Sequence, residues 1–531
     1  FENVMITGKS PVLRTAHDEF IAGLSELTGL KIREVNSLEG RGLVVAGTFS
    51  SSPYVASLLP DVIPGTTGEE GFIIRSVRQG RRDITVVASE GDRGVLYGLF
   101  HLLRIIGTES PLDNLDITEK PATALRLLNH WDNLDGTVER GYAGGSIWNW
   151  HLLPGYISPR YRDYARANAS IGINGTVITN VNANALVLTR QYLVKVAALA
   201  DVMRPYGIKV YLTARFSAPQ EIGRLTTSDP LDPDVIKWWM DKAAEIYSVI
   251  PDFGGFLVKA NSEGQPGPQN YGRSHADGAN MLADAVAPYG GVVMWRAFVY
   301  DNNVPVDRAK QAYNEFVPLD GKFRKNLLVQ VKNGPIDFQP REPFHPLFGA
   351  MRETPLMMEF QITQEYLGCA THLVYLAPLF SEVLASDTHA EGPGSEVSKV
   401  IDGTMHNHTL TGIAGVANIG TERNWTGHLF GQASWHAFGR LAWTPELSPG
   451  EIATEWIRMT ITHDPEITGG IEEMMLSSRE AAVSYMTPLG LHHIMAEGHH
   501  WGPGPWVDRG RPDWTSVYYH RADTAGVGFD R

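Results

Sequence analysis

Short apolar runs alternate with longer amphipathic segments between residues 122 and 440. This alternation is typical of parallel strands joined by crossover helices. The runs occupy residues 124–129 (ALRLLN), 175–180 (GTVITN), 208–213 (IKVYLT), 255–260 (GFLVKA), 292–299 (VVMWRAFV), 326–331 (NLLVQV), 356–361 (LMMEFQ) and 412–417 (GIAGVA). Because a TIM barrel is built from eight parallel strands, the pattern predicts a central (β/α)8 barrel.

The segments between the runs carry the signals of helices. One stripe of apolar residues recurs at helical spacing within residues 191–203: Leu193, Val196, Ala200 and Met203. A proline and a glycine follow it and predict the end of that helix. Earlier in the chain, Ser158 followed by Pro159 is typical of the first turn of a helix.

The flanking regions have a different pattern, which predicts three domains. Residues 1–121 mix short apolar runs such as 42–47 and 83–88 with helical stretches, so we expect a small N-terminal α/β domain. We expect residues 122–445 to form the barrel. Residues 446–531 are mostly helical in pattern and form the C-terminal region, which we expect to continue past residue 531.

Composition narrows the class of protein. The formal net charge of -14 disfavours nucleic-acid binding, which normally needs a basic surface. The single cysteine, Cys369, excludes an intrachain disulfide and a thiolate zinc site, and we expect it to be a small buried residue. No run of 18 apolar residues predicts a membrane segment, and residues 1–30 lack a signal-peptide layout. A soluble protein, cytoplasmic or secreted, is expected.

Charged residues gather where the fourth to seventh strands end, which is where barrel enzymes place their active sites. Three are cations and three are acids: Lys259, Arg296, Lys332, Glu263, Asp337 and Glu365. Because side chains alternate along a strand, Lys259 and Glu263 are expected on one polar face with Asn261. A ring of structural ion pairs is one explanation. The other is that the acids transfer protons at a glycosidic bond while the cations hold an anionic sugar.

Several longer motifs resemble the α-glucuronidases of glycoside hydrolase family 67. The motifs span nearly the whole chain and occur in order: residues 129–133 (NHWDN), 139–144 (ERGYAG), 259–270 (KANSEGQPGPQN), 271–280, 330–340 (QVKNGPIDFQP), 364–368 (QEYLG) and 498–508. The resemblance implies an inverting enzyme that releases glucuronic acid, or its 4-O-methyl ether, from the nonreducing end of xylo-oligosaccharides in hemicellulose breakdown. It also implies a helical extension past residue 531 that often contributes to a homodimer.

The resemblance also implies roles for individual residues. Glu263 matches the general acid, and Asp337 and Glu365 match the pair that activates water. The remaining matches concern substrate binding: Lys259, Arg296 and Lys332 in the uronate pocket, Trp131 and Trp506 over the sugar, and Val181 near the methyl ether. From the residues alone, we expect the cations to lower the pKa of Glu263, and a bound uronate to offset them.

Three other functions remain open at this point. A retaining glycosidase would use Glu263 as acid/base and Glu365 as nucleophile, and these two carboxyl groups would lie closer together than the catalytic pair of an inverting enzyme. A noncatalytic barrel could bind acidic sugars without cleaving them. A metal-dependent hydrolase would need histidines at the strand ends, and the late histidines His492, His493, His499, His500 and His520 lack a ligand spacing, so we expect no metal and no cofactor.

Overall fold

A computed structural model describes residues 1–299, 308–369, 371–417, 419–487 and 504. In this part of the chain, eight parallel strands close into a barrel, preceded by a small α/β unit and followed by helices. The predicted fold class is therefore confirmed. The domain boundaries at residues 121 and 445 stay predictions. Trp506 and the late histidines lie outside the described residues.

The N-terminal unit is one sheet with strand order β2-β1-β3-β5-β4-β6. Strands β1, β2, β3 and β5 are parallel, while β4 runs antiparallel to both β5 and β6. The strands are β1 (Asn3–Ile6), β2 (Arg33–Glu34), β3 (Leu43–Thr48), β4 (Phe72–Gln79), β5 (Arg82–Ser89) and β6 (Asp116–Glu119), and the helices are α1 (Pro11–Thr28), α2 (Pro53–Leu58) and α3 (Asp92–Gly107).

The barrel strands coincide with the eight apolar runs. They are β7 (Leu125–His130), β8 (Gly175–Val177), β9 (Lys209–Thr213), β10 (Gly255–Val258), β11 (Val292–Arg296), β12 (Leu327–Lys332), β13 (Leu356–Gln361) and β14 (Gly412–Ala417). Each pairs in parallel with its neighbour, and β14 closes the barrel against β7. The runs are continuously apolar because strands of a barrel are buried on both faces.

Helices cover the outside of the barrel, as predicted. Their bounds are α4 (Pro159–Ser170), α5 (Arg190–Met203), α6 (Ala218–Glu221), α7 (Pro233–Val249), α8 (His275–Val286), α9 (Arg308–Phe316), α10 (Leu347–Ala350), α11 (Ala377–Leu384), α12 (Val397–Ile401) and α13 (Leu429–Trp443). Ser158 caps α4 by accepting the N–H of Arg160. The predicted stripe on α5 is buried. Both local predictions are confirmed.

The N-terminal unit covers the end of the barrel at which the strands begin. Glu70 pairs with Arg126 at the start of β7 and accepts the side-chain N–H of Asn174, just before β8, at 3.1 Å. Trp443, at the end of α13, stacks on Phe72 of β4 with a ring-centroid separation of 5.8 Å. The opposite end, where the strands finish, is left for the site.

Two further helices follow, α14 (Pro449–Thr460) and α15 (Pro465–Met486), and α15 reaches that opposite end. Arg341, in the loop after β12, pairs with Glu480 of α15 at 2.6 Å. Met486, at the end of α15, is fully buried in one apolar cluster with Trp131 and Tyr366 above the barrel. Within the described residues, no helix combines the length and the apolarity needed to cross a membrane.

Candidate active site

The barrel interior changes from apolar to polar along its axis. Alternate residues of a strand point to the same side, so each residue that faces the interior is followed, two positions later, by another that does. The lower inward positions hold Leu127, Leu257, Met294, Leu328 and Met357, all buried in one cluster. The positions two residues above them hold Asn129, Lys259, Arg296, Gln330 and Glu359, all buried as well. A polar floor therefore lies beneath the ends of the strands.

Arg296 and Glu359 form a buried two-point ion pair on this floor. Arg296 Nε donates to Glu359 Oε2 at 2.8 Å, and Nη2 donates to Oε1 at 2.5 Å. Gln330 Nε2 also donates to Oε2, at 2.6 Å. Burial raises the pKa of Glu359, but the charge of Arg296 and the hydrogen bonds outweigh it, and the net pKa lies below its usual value.

Glu359→Gln is expected to lower the free energy of unfolding by about 3–5 kcal/mol at pH 7, because it leaves Arg296 as an uncompensated buried charge. The folded-state pKa of Glu359 is depressed, so the pair stabilises the fold above the unfolded pKa and loses this effect as pH falls through the folded pKa. Urea unfolding should therefore show a difference between wild type and variant that shrinks in acid.

The exposed Arg341–Glu480 pair offers a matched control. Glu480→Gln is expected to cost under about 1 kcal/mol, since exposed ion pairs contribute little. Equal losses for the two variants would contradict the importance of the buried pair.

Lys259 and Glu263 form an ion pair at the rim of the floor. The Lys259 side chain is 3% exposed and that of Glu263 is 35% exposed, so the carboxylate lies where the pocket opens. Lys259 Nζ also donates to Asn182 Oδ1 at 2.7 Å. The expected shared strand face of Asn261 and Glu263 is wrong, because β10 ends at Val258 and both residues have left-handed φ angles of 52° and 50°. A turn, not a strand, brings Glu263 back to Lys259.

Asp337, in the loop after β12, forms an ion pair with Lys332, the last residue of that strand. Its other oxygen, Oδ2, accepts the hydroxyl of Tyr366 at 2.9 Å. Lys332 Nζ lies 3.4 Å from the ring centroid of Phe298 and 4.2 Å from that of Phe338, so aromatic faces surround the ammonium. Asp337 thus has a cation on one oxygen and a phenol on the other.

Glu365 follows β13 and is buried. Arg140 Nε donates to its Oε1 at 2.8 Å, and Gln361 Nε2 donates to its Oε2 at 2.8 Å. Burial raises the pKa of Glu365, the Asp337 carboxylate raises it further, and Arg140 acts in the opposite direction. The net pKa of Glu365 lies above its usual value, so this carboxyl holds a proton more readily than an ordinary glutamate does.

The charged side chains predicted for the site form one cluster, in which each affects the pKa of others. Burial raises the pKa of Glu263, Lys259 lowers it and Asp337 raises it, with a net value below the usual one. Burial lowers the pKa of Arg296, and the negative charges of Glu263 and Asp337 are among those that raise it. The pKa of Lys259 is lowered by burial and by the charges of Arg296 and Lys332, against Glu263. The direction for Glu263 is the one expected for a carboxyl among cations.

The apolar residues that the sequence analysis singled out line the same region. Trp131 and Val181 are 6% and 4% exposed, and both belong to the apolar cluster that includes Phe338. Among the described residues, neither the indole N–H of Trp131 nor the amide of Asn129 has a hydrogen-bond partner, although both are buried. Buried polar groups usually have a partner, so these atoms suit a polar ligand.

A polar cleft of about 450 Å³ opens between the loops that follow β7, β8 and β9. Asn182, whose side chain binds Lys259, lines it, and so does Arg215, which donates to Gln265 at 2.6 Å in the Glu263 loop. The other lining residues are Asp132, Asn133, Leu134, Asp135, Thr179, Asn180, Ala183, Asn184, Val187 and Glu221. Asparagines and carboxylates of this kind can donate to and accept from hydroxyl groups.

Four residues of the site were missing from the predicted set. Glu359 was visible at the end of β13, but nothing in the sequence shows that it pairs with Arg296. Arg140 and Asn182 lie on loops after β7 and β8, away from the fourth to seventh strand ends at which the charged residues gather in the sequence. Tyr366 is adjacent to Glu365, and its hydroxyl contact with Asp337 depends on how two loops fold together.

Curated relatives resemble the chain along most of its length. It is 43% identical to alpha-glucuronidase A of Emericella nidulans, covering 97% of this chain and 62% of the relative. It is 40% identical to the probable alpha-glucuronidase A of Aspergillus clavatus, covering 99% and 62%. The chain therefore spans about three fifths of the length of these relatives.

Solved structures share the fold at low identity. A GH138 enzyme targeting pectin rhamnogalacturonan II superposes with a TM-score of 0.58 and 13% identity, covering 94% of this chain and 60% of that one. A GH115 4-O-methyl-alpha-glucuronidase with specificity for decorated arabinogalactans gives a TM-score of 0.57 and 12% identity, covering 96% and 65%. At these identities the likeness concerns the fold alone.

Family models match the chain in three consecutive pieces. The glycosyl hydrolase family 67 N-terminus matches residues 1–102, the middle domain matches residues 105–425, and the C-terminus matches residues 426–531. Together with the curated relatives, these matches show that the chain belongs to glycosyl hydrolase family 67.

Proposed function

We propose that the chain is an inverting α-glucuronidase that releases glucuronic acid, or its 4-O-methyl ether, from the nonreducing end of xylo-oligosaccharides. The observation that carries this proposal is the pairing of two predicted catalytic acids with two predicted uronate-binding lysines, whose charges act on one another. Glu263 pairs with Lys259, and Asp337 pairs with Lys332. Relatives named alpha-glucuronidase A support the choice of sugar.

Charge balance explains how an anionic sugar could activate the site. On and around the polar floor, the cations of Lys259, Arg296 and Lys332 pair with the carboxylates of three acids, Glu263, Glu359 and Asp337. A bound uronate adds one negative charge to this balanced set. Uptake of one proton restores the balance, because like charges held close together in a protein interior raise the pKa of the acid.

Glu263 is the acid best placed to take up that proton. In the free protein, Lys259 keeps its pKa below the usual value. When a uronate carboxylate binds Lys259, it competes with Glu263 for the ammonium, and the pKa of Glu263 rises. The protonated carboxyl then donates to the oxygen of the leaving xylose, which is the general-acid step of glycoside hydrolysis.

Asp337 and Glu365 act on the water in this proposal. Inversion needs an ionised carboxylate that removes a proton from water as the water attacks the anomeric carbon. Burial and Asp337 raise the pKa of Glu365. We take Asp337 as the ionised member, because Lys332 and the Tyr366 hydroxyl stabilise a negative charge on it.

The polar cleft between the loops after β7, β8 and β9 suits the neutral part of the substrate. A general acid stands next to the oxygen that leaves, so the xylose chain extends on the Glu263 side of the bond. Asn182 and Arg215 connect that cleft to the Glu263 loop. We therefore place the xylo-oligosaccharide in the cleft of about 450 Å³ and the uronate over the polar floor.

Purified protein is expected to release 4-O-methylglucuronic acid from 4-O-methylglucuronosyl xylotriose. A matched neutral substrate, with α-glucose in place of the uronic acid, should react at least about 100-fold more slowly in kcat/KM, because the buried cations lose their partner. Chromatography of the products measures both rates. Binding of the uronate substrate without release would favour a noncatalytic barrel, and equal rates on both substrates would contradict the uronate pocket.

A further inference from the structure

The loop after β12 contains a buried carboxylate that lies behind Asp337. Glu342 is only 7% exposed. Its Oε2 accepts the backbone N–H of Ile336 at 2.5 Å, and its Oε1 accepts the backbone N–H of Gln339 at 3.0 Å. These amides lie on either side of Asp337 and Phe338, so one carboxylate holds both ends of the short segment that presents Asp337.

The segment needs such support because its backbone is strained. Asp337 has a φ of 144° and Phe338 a φ of 53°, in a region that residues with a Cβ atom rarely adopt. Strained conformations persist only when surrounding contacts fix them. The loop is folded tightly around the carboxyl group, since a Cβ atom at Gly334 would lie 2.2 Å from Glu342 Cδ.

The partners of Glu342 argue against an ordinary ion pair. In the described part of the chain, its recorded contacts are backbone amides, and no lysine or arginine pairs with it. Burial raises the pKa of Glu342 and Asp337 adds to the rise, the amides of Ile336 and Gln339 lower it, and the net pKa is about 7. A buried carboxyl beside another carboxylate costs free energy, which is difficult to explain by stability alone.

We propose that Glu342 is a positioning residue, which fixes the backbone of residues 336–339 so that the Asp337 carboxylate meets the attacking water. The inference rests on the proposed function, because it takes Asp337 as the base. Two acceptor oxygens are needed for two N–H donors. A glutamine offers one acceptor and places its own NH₂ group against the second amide, so even this near-isosteric change loosens the segment.

Glu342→Gln is expected to lower kcat by about 100-fold with 4-O-methylglucuronosyl xylotriose, because a shift of about 1 Å at a reacting group can have that effect. KM should change by less than about 3-fold, since the uronate pocket is retained. Asp320→Asn is the matched control. Asp320 accepts the backbone N–H groups of Arg352, Glu353 and Thr354 before β13, at the opposite end of the barrel. The kcat of the Asp320→Asn variant should equal that of the wild type.

A double-mutant cycle with Asp337→Asn separates positioning from general stability. If Glu342 acts through Asp337, adding Glu342→Gln to Asp337→Asn should lower kcat by less than about 2-fold further. A further loss of 100-fold would overturn the proposal, and so would a single Glu342→Gln variant with wild-type kcat. If Asp337→Asn itself keeps full activity, Asp337 is not the base, and the assignment on which this inference rests fails instead, which the same cycle reveals.

Glu342→Asp provides a second variant in case the glutamine variant does not fold. It keeps both oxygens but is one methylene shorter, so it cannot reach both amides at once. A loss of at least about 10-fold in kcat, with an unchanged circular dichroism spectrum, is expected. Wild-type kcat in the folded aspartate variant would contradict the proposal.

Discussion

Glu263→Gln is expected to lower kcat/KM for 4-O-methylglucuronosyl xylotriose by about 1,000-fold, because the xylose oxygen leaves poorly without a proton. The same variant should lose less than about 10-fold with 4-nitrophenyl α-glucuronide, since nitrophenolate needs no proton to leave. The contrast between the two substrates identifies the general acid, and initial-rate kinetics on both measures it. Glutamine is close to glutamate in shape, so packing around Lys259 is little changed.

Glu480→Gln is the control for this experiment, because it makes the same substitution at an exposed ion pair on α15. Its kcat/KM should match that of the wild type on both substrates. Equal losses on both substrates for Glu263→Gln would contradict the role of the acid and would indicate a general effect on binding.

Asp337→Asn is expected to lower kcat by about 1,000-fold on both substrates alike. Water must still be deprotonated whichever group leaves, and an asparagine cannot accept that proton. The Lys332 ammonium and the Tyr366 hydroxyl remain in place, so substrate affinity should change little. Steady-state kinetics with the two substrates give kcat and KM separately.

Glu365→Gln tests the division of roles within the pair. Burial and Asp337 raise the pKa of Glu365, so its loss should affect kcat less than the loss of Asp337. If Glu365→Gln were the more damaging change and Asp337→Asn nearly silent, the base would be Glu365, and the assignment of the ionised member would be wrong.

The barrel could be predicted from the sequence because its strands are buried on both faces. Continuous apolar runs at 292–299 and 356–361 have few alternatives in a soluble protein of this size. The ends of the strands were less well predicted. Strand β8 ends at Val177, although the predicted run continues to residue 180. The chain leaves the strand there, and the N–H of Asn180 donates to the carbonyl of Asp132 in the loop after β7.

The site could be predicted as a set of charges but not as a set of pairs. The sequence predicted Lys259, Arg296 and Lys332 at the ends of the barrel strands, and the structure buries all three there. Their partners depend on contacts between distant segments. Arg296 meets Glu359, 63 residues away, and Arg140 reaches Glu365 across 225 residues. No local pattern encodes such distances.

Alternation also failed where the chain leaves the strand. Glu263 was expected on a strand face, but β10 ends at Val258 and a left-handed turn carries the acid instead. Asp337 also lies in a loop, with a φ of 144°, and Glu342 accepts the N–H groups of Ile336 and Gln339 on either side of it. Functional positions are often held in such conformations, and these depend on tertiary contacts that a sequence pattern does not show.

The central claim is that the acids around the cationic pocket hydrolyse an α-linked uronate with inversion, and proton NMR of the first product tests it most directly. Purified protein is mixed with 4-O-methylglucuronosyl xylotriose, and spectra are recorded before the released sugar mutarotates. We expect the β-anomer of 4-O-methylglucuronic acid to appear first. Initial formation of the α-anomer would contradict the account and favour a retaining reaction with Glu365 as nucleophile.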